Sequence, residues 1–91
     1  MAKAGGTLSA NTNVEVLGAD MQRQTLSVTN AASDKIIYME FGGEASTTAT
    51  DDSWIVLPST TLNLSVKDFP EIRDAVNLKA IDTAQYVVRT A

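Results

Sequence analysis

The chain has 91 residues, no cysteine, no histidine and a formal net charge of −4. That leaves room for one small domain and removes cysteine-histidine zinc sites, thiol nucleophiles, Ser-His-Asp triads and disulfide frameworks. Its seven basic residues stand singly, no two closer than six positions, so the dense cationic footprint that nucleic acid requires is missing.

Threonine, serine and asparagine supply 23 of the 91 residues, a composition that favours strands and turns. Residues 1–12 hold only Met1 and Leu8 as large apolar side chains, with Gly5-Gly6 between them, and are expected as a flexible arm ahead of a single domain over 13–91. Asn13 to Gly18 predicts the first strand, with Val14 and Val16 on one face. Gln22 to Asn30 follows, Leu26 and Val28 inward, and Asn30-Ala31-Ala32-Ser33-Asp34 has the turn chemistry of a hairpin connection. Lys35 to Gly42 is apolar on both faces, so it is expected to be central or covered by a partner.

Glu44 to Ser53 reads as a polar loop of small residues. Trp54 to Pro58 is a short apolar strand stopped by a proline, which cannot donate to a ladder. Its alternation is taken with Ile55 and Leu57 inward and Trp54 on the opposite face. Thr60 to Lys67 alternates cleanly, Leu62, Leu64 and Val66 inward. Asp68 to Asp74 is the one local helix candidate, of one or two turns, with Asp68 as its cap and Pro70 in its first turn. Val76 to Ile81 and Gln85 to Thr90 complete the set. The fold class is therefore all-β: a small antiparallel β-sandwich or barrel of about seven strands with a flexible N-terminal arm. A parallel α/β sheet is excluded, since no crossover helix lies between strands.

Each candidate site has a plainer reading. Glu44, Asp51 and Asp52 could gather around a calcium ion, yet they lack the spacing and glycine of a calcium loop. Gly42-Gly43 has no phosphate-loop context and reads as a turn leaving a strand. Asn63-Leu64-Ser65 matches a glycosylation pattern but falls in mid-strand. Carboxylate pairs for glycoside hydrolysis would need a cleft that so short a chain can hardly build. No catalytic set, metal or cofactor is expected, and the chain is not expected to be an enzyme.

Contact residues are the better prospect. Phe41 and Phe69 are expected in the core. An outward Trp54 beside the loop is a contact candidate. Tyr38 shares a face with Ile36, and Tyr86 with Val88, so these could form a second apolar surface used by a subunit. The arm, with Lys3, Leu8, Asn11 and Asn13, could order by lying across a neighbour or adding a strand to it. Size scaling gives roughly 5,100 Å² of folded surface against roughly 14,000 Å² unfolded. That is modest burial for a domain with no disulfide or metal, so association with its own kind or another subunit is expected. No run reaches the roughly 18 apolar residues of a membrane span, and the start lacks the apolar stretch of a secretory signal. Neither a membrane nor a nucleic-acid partner is expected. The absence of cysteine fits a reducing cytoplasm and fits equally a particle that passes between redox compartments.

One long stretch carries a resemblance. It runs Arg23-Gln24-Thr25-Leu26-Ser27-Val28-Thr29-Asn30, Ser33-Asp34, Ile37-Tyr38-Met39-Glu40-Phe41-Gly42 and Ala45-Ser46-Thr47-Thr48. It continues through Ile55-Val56-Leu57-Pro58 to Thr60-Thr61-Leu62-Asn63-Leu64. This resembles small β-sandwich virion proteins of tailed bacteriophages, whose shared pattern is Arg, an alternating strand to Asn, Ser-Asp, an apolar strand to Phe-Gly, small polar residues and a Leu-Pro turn. Where that family usually has glycine after the proline, Ser59 stands here. The resemblance implies a structural virion protein, assembled in the host cytoplasm and bound outside the capsid shell as a decoration or cement protein. Its implied partner is the major capsid protein, met by a homo-oligomer or by many copies. Two alternatives are a head–tail connector or tail component, and a module that binds a host-surface glycan through Trp54 and the Thr-rich loop.

Overall fold

A computed structural model describes residues 2–43, 45 and 54–91. Among the described residues the strands are β1 (Ala2–Leu8), β2 (Val14–Leu17), β3 (Thr25–Asn30), β4 (Ile37–Phe41), β5 (Trp54–Val56), β6 (Thr61–Ser65), β7 (Val76–Ala80) and β8 (Ala84–Thr90), with a 3-10 turn, Pro70–Arg73, before β7. They form two four-stranded sheets, β1-β8-β3-β6 and β2-β7-β4-β5, in which every neighbouring pair is antiparallel. This is a sandwich and not a barrel. Among the described residues no helix is long and apolar enough to cross a membrane.

The core follows from alternation. Leu26 and Val28 of β3, Leu64 of β6 and Val88 of β8 point from the first sheet; Ile37 and Met39 of β4, Val56 of β5 and Val76, Leu78 and Ala80 of β7 meet them from the second. All are buried. Ile72 of the 3-10 turn plugs one end of the sandwich.

Four expectations are corrected. First, residues 2–8 are a strand where a flexible arm was expected over 1–12. β1 pairs with β8 over seven residues, from Ala2↔Thr90 to Leu8↔Ala84, and Leu8 is fully buried in the core. This is the eighth strand, which the sequence conceals because its only large apolar side chain is Leu8. Its Gly6 lies opposite Tyr86, and a Cβ there would stand 3.2 Å from the Tyr86 hydroxyl. The tyrosine ring covers the glycine, which supplies the packing that the glycine cannot.

Second, Asn30 to Asp34 is not a hairpin: it carries the chain from β3 in one sheet to β4 in the other. The Asn30 side chain organises that crossing. Its Nδ2 donates to the carbonyls of Lys35 (2.6 Å) and Val56 (3.0 Å), and its Oδ1 accepts from the Ala32 amide at 3.0 Å. Third, Asp68 does not cap the short helix. Phe69 occupies the cap position without a side-chain bond, and Asp68 instead accepts from the Ser65 hydroxyl at 3.3 Å.

Fourth, β5 is turned over. Trp54 and Val56 face the core, whereas Ile55 and Leu57 are exposed. The stretch Trp54-Ile55-Val56-Leu57 has no polar residue to fix its parity, so pairing decides it: Val56 lies opposite the buried Ile37, and Trp54 opposite the buried Met39. A smaller difference occurs in β2. A bulge between Glu15 and Leu17 makes Leu17, not Val16, the partner of Val76.

Candidate interaction surface

The outer faces of the two sheets differ in kind. On the first sheet, Thr25, Ser27 and Thr29 of β3 lie opposite Ser65, Asn63 and Thr61 of β6, and the Thr29 and Thr61 hydroxyls are 2.9 Å apart. That face is hydrophilic and suited to water.

The second sheet carries an apolar patch at one end of its outer face. β4 sets Tyr38 outward between Ile55 of β5 and Lys79 of β7. One step beyond the last paired residues, the same register brings Ile36 between Leu57 and Ile81. The exposures are 38% for Ile36, 42% for Ile55 and 55% for both Leu57 and Ile81, while Tyr38 beneath them is only 8% exposed. Four aliphatic side chains therefore stand in solvent around a covered tyrosine. They expose on the order of 400 Å² between them, within the range of about 300–600 Å² typical of the largest apolar patch on a monomer, which is often functional.

The predicted contact residues distribute unevenly over this geometry. Tyr38 lies in the patch, and its sharing of a face with Ile36 holds. Trp54 lies on the opposite face of its sheet, between two aromatic rings: Phe69 at 5.1 Å and Phe41 at 6.2 Å, both edge-to-face. Tyr86 shares a face with Val88, but that face is the interior, so it forms no second outer surface. Lys3 and Leu8 belong to β1. Asn11 holds the turn after it in a left-handed conformation (φ 54°), donating its amide to the Ala80 carbonyl at 2.8 Å. Asn13 donates to the Asn77 side chain at 3.0 Å and accepts from the Ala45 amide at 2.8 Å, so its polar atoms are occupied within the fold. The alternation missed Ile55, Leu57 and Ile81. Ile81 could have been found from the Val76–Ile81 run, whose even-numbered residues are all inward.

Among the described residues no acidic group of three gathers that could hold a metal ion. Glu44, Asp51, Asp52 and the Thr-rich stretch 46–53 lie outside the described residues. Gly42 leaves β4 with φ 75°, a glycine turn as expected.

The quoted motif residues hold the fold. Arg23 is buried: its Nη1 donates to the carbonyls of Ile72 (2.6 Å) and Asp74 (3.1 Å), and its Nη2 to Gly18 at 2.8 Å. Its Nε meets no acceptor among the described residues. Burial lowers the guanidinium's pKa and the Asp20 carboxylate partly restores it, though an arginine remains protonated throughout. Asn30 ties the sheet crossing, as above. Ser59 occupies the turn after Pro58 with φ 57°, the left-handed region that glycine favours. The Thr60 amide closes that turn on the Leu57 carbonyl at 3.3 Å, in a Pro-Gly-type turn built with serine.

Comparison with protein-family models, with curated proteins and with solved structures finds no match to this chain.

Proposed function

We propose that the chain is a structural protein of a bacteriophage virion, a decoration or cement protein that binds the outside of the capsid shell and stabilises it. The observation that carries this reading is the apolar patch of Ile36, Ile55, Leu57 and Ile81 on the second sheet, backed by a hydrophilic face on the first. Such a sandwich is two-sided: one face suits a protein surface, the other suits solvent. The resemblance carried by Arg23, Asn30 and the Leu57-Pro58 turn supplies the context, since those residues shape the crossing loops and caps of the sandwich.

The mechanism is mechanical. A patch of this size holds one copy weakly, but many copies bridging neighbouring capsid subunits sum their contacts by avidity. The partner is the major capsid protein, and the protein resides in the virion after assembly in the host cytoplasm. Quantitative mass spectrometry of purified particles tests the reading. Copies in the hundreds, in fixed ratio to the capsid subunit, support it. A single ring's worth would assign the chain to a connector or tail, and absence from the particle would overturn the virion reading altogether.

A further inference from the structure

The patch is not flat. Ile36 and Ile81 wall a hollow of about 240 Å³ whose floor is Tyr38 and whose rim is Asp34, Lys35 and Asp82. That is smaller than the roughly 300–1,000 Å³ of pockets that enclose small-molecule ligands, and it suits one protruding side chain. Lys35 Nζ stands 3.7 Å from Asp34 and 3.6 Å from Asp82. Two well-exposed carboxylates thus share one ammonium, and the groups lining the hollow carry a surplus negative charge. Lys79 is the direct register partner of Tyr38 on the same face, outside that lining.

We propose that this hollow is the anchor socket for a branched aliphatic side chain presented beside a lysine or arginine on the partner protein. The walls and floor recognise the aliphatic group by burial. The rim favours the cation, since its two carboxylates, Asp34 and Asp82, outnumber the single Lys35 ammonium that they share. A second copy of the chain fits poorly, because it brings the same acidic rim and a net charge of −4. Its four aliphatics also offer only about half of the roughly 800 Å² per partner of a standard stable interface. The inference deepens the shell-binding reading and rests on it only for the partner's identity as capsid protein; the socket's chemistry stands without a particle.

The test is a titration of the full ¹⁵N-labelled chain with three capped dipeptides, N-acetyl amides of Leu-Lys, Leu-Gln and Leu-Glu, followed by amide chemical shifts. Saturable shifts confined to residues 34–38 and 81–82 are expected, with the Leu-Lys probe bound about threefold or more tighter than Leu-Glu, the scale of an exposed ion pair. The doubly neutralised variant Asp34→Asn/Asp82→Asn should still bind leucine but lose that preference. Overturning results are the absence of saturable shifts at these amides with every probe, or Leu-Glu binding as tightly as Leu-Lys. A chain that sediments as a dimer and is made monomeric by Ile81→Asp would also overturn it, by giving the socket to a second copy. Copy counting on particles is independent: the socket can bind its probes even if the chain proves not to coat a shell, and the shell reading can hold even if the socket fails.

Discussion

The guanidinium of Arg23 donates a 2.6 Å hydrogen bond to the main-chain carbonyl of Ile72, forty-nine residues further along the chain. The same group reaches Asp74 and Gly18, and Arg73 Nε returns a bond to the Arg23 carbonyl at 3.0 Å. One planar fork thus binds the loop before β3 to the 3-10 turn that plugs the core with Ile72. Lysine cannot reproduce that fork. Arg23→Lys is expected to lose about 2–3 kcal/mol by leaving carbonyls unpaired, a fall in Tm of roughly 10–20 °C for a chain this size. Urea unfolding of the two proteins measures it, and a loss under about 0.5 kcal/mol would contradict the role.

Ser59 holds a left-handed conformation (φ 57°) in which its amide donates to the Ala32 carbonyl at 3.0 Å, and its side chain adds only a long 3.5 Å contact from the hydroxyl to the same oxygen. A non-glycine residue there costs roughly 1–2 kcal/mol, partly balanced by glycine's greater freedom when unfolded. Ser59→Gly should therefore stabilise the fold by about 0.5–1 kcal/mol, and Ser59→Val should destabilise it. Paired thermal melts decide this; a destabilised glycine variant would show that the serine hydroxyl matters more than the backbone.

β1 separates two pictures of the N-terminal segment. A loose arm can be cut away without effect, whereas a strand with a core anchor cannot. Leu8→Ala is expected to cost about 2–4 kcal/mol, in the range of buried leucine truncations. Amide exchange should show protection at the β8 amides that face β1, lost when residues 1–8 are deleted, while those facing β3 stay protected. Unchanged stability in both variants would restore the arm.

Trp54 and Ile55 are neighbours with opposite environments. Trp54 packs between Phe41 and Phe69, and Ile55 faces outward. Trp54→Ala should lose about 2–3 kcal/mol, somewhat below the loss for a fully buried tryptophan, while Ile55→Ser should stay within about 0.5 kcal/mol. The chain has a single tryptophan, so its fluorescence reports the melt directly in the Ile55 variant. A larger loss for Ile55→Ser than for Trp54→Ala would place β5 the other way up.

The sequence made the sandwich legible where polar and apolar residues alternate. Leu26 and Val28 in β3 and Leu64 in β6 fell inward as their patterns indicated, and the Leu57-Pro58 turn stopped β5. It failed where pattern was missing. β1 offers no alternation because glycine and alanine fill it, and β5 offers none because all its residues are apolar. Both are decided by partners distant in sequence, Tyr86 for one and Ile37 for the other. The outer patch suffered from the same ambiguity: Tyr38 and Ile36 could be paired from β4 alone, but their neighbours Ile55, Leu57 and Ile81 come from strands whose register only the sheet reveals. Arg23 stood out in the motif, but its partners are main-chain carbonyls, which no side-chain pattern can announce.

The central claim is that the chain meets its shell through the outer face of the second sheet. The direct measurement is the number of copies bound per particle when Leu57→Asp and Thr25→Asp proteins are each supplied to shells in place of the natural chain. Both positions are exposed, one on each outer face, so both variants should melt within about 0.5 kcal/mol of the parent. The account predicts that Leu57→Asp loses most of its occupancy and that Thr25→Asp binds as the parent does. Full occupancy by Leu57→Asp, or loss confined to Thr25→Asp, would contradict it.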